Sequence, residues 1–126
     1  MGLLSMITGA ASEADATRME AELKDVLIEG ESVERAFVFV RDQLILTNLR
    51  VIFVNKQGIT GSKTSWQTIP YSRITSFSAE TAGMMDMDAE LTIWVTGLGL
   101  PLQIKLGKGV PIKEVYQSLS RLVLKR

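Results

Sequence analysis

The chain has 126 residues, 46% of them apolar and 22% charged, and its formal net charge is zero. That is the composition of one ordinary globular domain with enough chain for a real core, and the balance gives no footprint for a nucleic-acid partner. Neither cysteine nor histidine occurs, so disulfides, thiol chemistry, the commonest general base and the commonest metal ligand are excluded together.

Residues 1–9, MGLLSMITG, have no basic start and too short an apolar run for a signal peptide or a membrane span. Met6 also stands where N-myristoylation needs Ser or Thr. A soluble, cytoplasmic protein is expected, with residues 3–9 as a short extra helix or an arm. Ser12 is a candidate helix N-cap, with acids in the following turn. Met19, Leu23, Val26 and Leu27 then form an apolar stripe, and Gly30 is a fair C-cap.

From residue 33 the period changes from helical to extended. Strands are expected over 33–41, 43–47, 49–56, 63–69, 74–80, 90–96 and 100–106. Arg41-Asp42 and Thr47-Asn48 are short enough to make neighbouring strands antiparallel. Pro70 ends the fourth strand, Gly97-Leu98-Gly99 turns the chain after the sixth, and Pro111 opens a last helix. In that helix Ile112, Val115, Tyr116, Leu119, Leu122 and Val123 make one stripe. The order is helix, seven strands, helix, which argues for an antiparallel sandwich or barrel within a single domain, 1–126. The runs 36–40 and 49–54 are apolar on both strand faces. Either the N-terminal helix or a neighbouring subunit must cover the second face.

Charge is unevenly spread. Residues 1–34 carry a net −6, 35–77 carry +5, 80–90 carry −4 and 91–126 carry +5. A mixed solvated surface accounts for this, as does head-to-tail pairing of copies. The acids Asp86, Asp88 and Glu90 have the spacing of a calcium loop, but Leu91 replaces the required glycine, so no metal is expected. Ser62 and Lys63 point to opposite faces of a strand and cannot share a proton. Gly107-Lys108-Gly109 is too short for a phosphate loop. No catalytic residue and no cofactor are expected.

Several stretches together carry a resemblance: GESVE at 30–34, FVRD at 39–42, LTNLRVIFVNKQG at 46–58 and GSK at 61–63. IPY at 69–71 follows, with Ile74, Phe77 and Ser78, then AG at 82–83 leading to DMDAEL at 86–91. In order and spacing the chain, over roughly 13–125, resembles the bacterial pleckstrin-homology (PH) domain family. The resemblance implies a mainly β, PH-like barrel or sandwich of seven antiparallel strands with a C-terminal capping helix and an N-terminal helix. It implies a non-enzymatic domain of unknown physiological role that forms cyclic homo-oligomers, five-membered for single-domain members. A polar surface where strands of neighbouring protomers meet would bind a protein partner.

By strand parity the assembly face would use Phe37, Phe39, Ile52, Val54 and Trp94. The partner face would use Arg41, Asp42, Asn48, Arg50, Lys56, Gln57 and Lys63 near the strand turns. The alternative is a lipid or small-anion binding module. Its basic residues are scattered, with Asp42 in the first strand turn, so membrane lipid is not the expected partner.

Overall fold

The structure is a computed structural model and describes residues 7–9, 13–39, 42–57, 63–81, 89–107 and 111–125. The described elements run β1 (Ile7–Gly9), α1 (Glu13–Lys24), β2 (Val33–Val38), β3 (Gln43–Thr47), β4 (Arg50–Gln57) and β5 (Lys63–Pro70). A 3-10 turn (Tyr71–Arg73) follows, then β6 (Ile74–Glu80), β7 (Ala89–Val95), β8 (Leu102–Gly107) and α2 (Ile112–Leu124). The chain divides into two compact units, Met1–Thr68 and Ile69–Arg126. The mainly β architecture with helices at both ends agrees with the expectation. The proposed N-cap, Ser12, lies outside the described residues.

In the first unit the sheet order is β1-β2-β3-β4-β5. Short connections make β2, β3 and β4 an antiparallel meander, as anticipated. The addition is β1, which lies parallel to β2 with Ile7 opposite Ala36 and Gly9 opposite Val38. A three-residue strand has too little period to announce itself; it takes up residues 7–9 of the stretch where an arm or short helix was expected, and residues 3–6 lie outside the described residues.

Register assigns the faces. Phe37 lies opposite Leu44, and Leu44 opposite Phe53. Ala36 lies opposite Ile45, and Ile45 opposite Ile52. The second set, with Val54, forms a buried cluster with Met19 and Leu23 of α1, and Val26, Leu27, Val33 and Val38 pack around it. The helix of the same chain therefore covers one of the two apolar faces, so no neighbour is required there. On the other face Phe37, Leu44, Leu46 and Val51 are fully buried as well.

Gly30 is not the cap of α1. The helix ends at Lys24 and relaxes through bonds from the Val26 and Leu27 N–H groups to the Leu23 carbonyl. Gly30, at φ +83°, sits in a separate tight turn in which the Glu31 N–H donates to the Ile28 carbonyl at 3.0 Å. A third turn residue with positive φ favours glycine for its missing Cβ. A Cβ built there meets no atom within 4 Å, so the strain is purely in the backbone. Gly30→Ala is expected to cost about 1–2 kcal/mol in chemical denaturation with unchanged secondary structure.

In the second unit β6, β7 and β8 form an antiparallel sheet in that order. Leu91 and Ile93 are buried on one face of β7, and Ile104 and Leu106 are buried on β8. Helix α2 buries Val115, Ser118 and Leu119 and packs beside β6 and the 3-10 turn. Pro111 precedes its first turn and its carbonyl accepts from the Val115 N–H at 3.1 Å. β8 begins at Leu102, two residues later than the alternation suggests, and that leaves Leu100 on the connection rather than in the strand.

Candidate functional site

Much of the described polar bonding gathers where the turn before β2 meets the β3–β4 hairpin. Glu31 follows Gly30 and its side chain is 0% exposed, while that of Arg50, first residue of β4, is 18% exposed. Arg50 donates from Nε to Glu31 Oε2 at 2.8 Å and from Nη2 to Oε1 at 2.9 Å, a two-pronged ion pair. The Thr47 hydroxyl donates to Oε2 at 2.7 Å and the Ile28 N–H to Oε1 at 3.0 Å. Arg50 reaches further, to the Val26 carbonyl at 3.1 Å and to Thr68 Oγ1 at 2.9 Å. One guanidinium thus ties together the segment leaving α1, the turn before β2, and β5.

This environment sets the charge states. The Arg50 hydrogen bonds dominate and hold the Glu31 carboxyl at about 2, against the desolvation that burial alone would impose. The same carboxylate pushes the Arg50 guanidinium up.

Asn48 is used in the same way. Its Oδ1 accepts from the Ser32 N–H at 2.7 Å, and its Nδ2 donates to the Gly30 carbonyl at 3.0 Å. The N–H groups of Leu49 and Arg50 both donate to Thr47 Oγ1 at 3.0 Å, which closes the hairpin. The turn residues are therefore Asn48 and Leu49, one position later than the sequence reading placed them.

The residues expected on a partner face separate into groups. Arg50 and Asn48 have their donors and acceptors engaged inside the chain, where they shape a turn. Asp42 is half-buried and accepts from Asn55 Nδ2 at 2.9 Å. Lys56 is half-buried, whereas Gln57 and Lys63 are exposed on either side of residues 58–62. Arg41 lies outside the described residues.

The residues expected on the assembly face also separate, and here the structure corrects the parity argument. Phe37 lies on the opposite sheet face from Ile52 and Val54, and all three are buried within one chain. The cause is the two-sided burial of β2, β3 and β4, which removes the solvent face that parity assumed. Phe39 is half-buried and Trp94 is exposed. The structure adds one exposed aromatic that sequence reasoning left unassigned: Trp66 on β5, 49% exposed.

No cluster of metal-ligating side chains occurs among the described residues, and of the acids at 86, 88 and 90 only Glu90 is among them. An open cavity of about 350 Å³ lies between β6 and the start of α2, lined by Phe77, Ser78, Ile112, Lys113 and Tyr116 among others. The Phe77 and Tyr116 rings stand 5.5 Å apart at 59°, an ordinary tilted aromatic contact. No described helix is long and apolar enough to cross a membrane.

Two sheets followed by a C-terminal helix define a PH-like domain. Residues 2–123 match the family model described as the bacterial PH domain, and the chain belongs to that family. It is 50% identical over 101 residues to an uncharacterised protein, YjqA, of Bacillus subtilis (strain 168), covering 80% of this chain and 81% of that one. A PH domain structure from Shewanella amazonensis SB2B matches with TM-score 0.78 and 40% identity, over 91% of this chain and 93% of that one. A DUF1696 family protein with a PH domain from Shewanella loihica PV-4 matches with TM-score 0.74 and 36% identity, over 85% and 92% of the respective chains. The fold is PH-like, in a family whose members are generally scaffolds rather than enzymes.

Proposed function

We propose that the chain is a non-enzymatic, cytoplasmic scaffold that assembles into a closed homo-oligomeric ring of five and presents a polar surface to a protein partner. The observation that carries this reading is β5. It is a terminal strand of its sheet, most of its side chains are exposed, and it displays Trp66 among polar neighbours. A terminal strand offers backbone groups for pairing with another chain, and an exposed tryptophan is a favoured interface anchor. A head-to-tail contact through such a strand closes into a ring when the rotation fits. Gln57 at the end of β4 and Lys63 at the start of β5 are the polar groups best placed for a partner.

The reading is tested by light scattering on a sizing column. Wild type is expected at about five times the chain mass of 13.9 kDa, unchanged on dilution. Trp66→Asp is expected to run as a monomer with wild-type circular dichroism. A wild-type monomer at every concentration would overturn the assembly.

A further inference from the structure

Among the described residues, the β7–β8 connection is the turn that exposes the most apolar side chain. Turns are normally polar. Here Leu100 is 82% exposed and Leu98 is 45% exposed, in a loop that contains Gly97 at φ +95° and ends at Pro101. Trp94, 40% exposed, stands just below on β7, opposite Ser76 of β6. No charged residue occurs between Glu90 and Lys105. The leucines project from a hairpin tip, which suits a medium that deforms around them better than a flat protein face.

The acids of the same sheet are confined to one end among the described residues. At the tip end the Thr96 N–H donates to the Arg73 carbonyl at 2.8 Å, which places the exposed Arg73 beside the loop. The acids of the sheet are at the other end, where Glu90 lies between Glu80 of β6 and Lys105 of β8. A seven-residue strand puts them roughly 20 Å from the tip. The end that carries the leucines therefore has Arg73 and, among the described residues of the sheet, no acid, whereas the far end has its two acids beside Lys105.

We propose that this hairpin tip is a membrane-contact site that inserts Leu98 and Leu100 into the interfacial layer of an anionic bilayer. Trp94 rests at headgroup depth, where indoles partition, and Arg73 meets lipid phosphate. This is a shallow apolar anchor and not a headgroup pocket, so the scattered lysines do not argue against it. It goes beyond the scaffold reading, because each chain carries the tip in any oligomeric state.

Flotation and solution mass use the full-length wild-type protein, and emission alone is read in Trp66→Phe, which leaves Trp94 as the sole tryptophan. Flotation is compared on vesicles of phosphatidylcholine alone and of phosphatidylcholine with phosphatidylglycerol. Expected are co-flotation with the anionic vesicles and a blue shift of Trp94 emission. Leu98→Asp/Leu100→Asp is expected to reduce partitioning at least about tenfold, with solution mass and melting temperature unchanged. Arg73→Gln is expected to narrow the difference between the two vesicles. The site is overturned if wild type floats with neither vesicle or if the double variant floats as well as wild type. A fall in solution mass of the double variant would also overturn it, by assigning the tip to a contact between copies.

Discussion

Arg50→Ala is expected to cost about 3–5 kcal/mol, a large share of the stability of a domain this size. The guanidinium donates twice to a carboxylate with no exposed surface, and its removal leaves that charge buried with only the Thr47 and Ile28 donors. It also frees the Val26 carbonyl and Thr68. The loss is not the same as the net worth of the ion pair. Replacing both partners by apolar groups of similar volume, as in Glu31→Leu/Arg50→Met, is expected to recover much of it, because the desolvation cost of both charges goes too. Urea denaturation of wild type and the two variants measures this. A loss below about 1 kcal/mol for Arg50→Ala would mean the pair behaves like a surface salt bridge.

Acid should remove the same contribution without mutation. The Glu31 carboxyl titrates at about 2 in the folded chain, against an ordinary value of 4.5. A lowered folded-state value means that the unfolded chain binds the proton first as pH falls. The stabilisation is therefore complete above about 4.5 and is lost progressively as pH falls toward 2. The shift corresponds to about 3 kcal/mol. Glu31→Gln carries no titrating group at this position. Its deficit against wild type is expected to be about 3 kcal/mol at pH 7 and to shrink toward zero near pH 2. Stability measured by denaturant titration across that range checks both limits, and a constant deficit would mean that another carboxylate carries the acid sensitivity.

The strands were readable because each combines β-branched and aromatic residues with turn signals, and the last helix because its stripe is continuous. Both faces of β2, β3 and β4 were also visibly apolar, yet what covers them was not. That depends on whether Met19 and Leu23 dock onto Ile45 and Ile52, a packing event that spacing along the chain cannot specify. The pairing of Glu31 with Arg50 was missed because the two lie 19 residues apart and each looks like an ordinary charge beside a strand. A signal was present. Arg50 shares its strand face with Ile52 and Val54, and an arginine on a buried face needs a carboxylate. The tip was misread for a simpler reason: alternation over 100–106 extends a strand pattern through Leu100, although Pro101 delays the strand to Leu102.

Four consecutive residues of β3, Leu44 to Thr47, are completely enclosed. A strand with one wet face can drift at every second position while its dry face holds the structure. This one has no such free register of change. Its residues can be exchanged only together with those across from them, Ile45 with Ile52 or Leu44 with Phe53, so the centre of the sheet is the part of the chain with the least room to diverge. Novelty in recognition would arise at its margins, on β5 and in the turns.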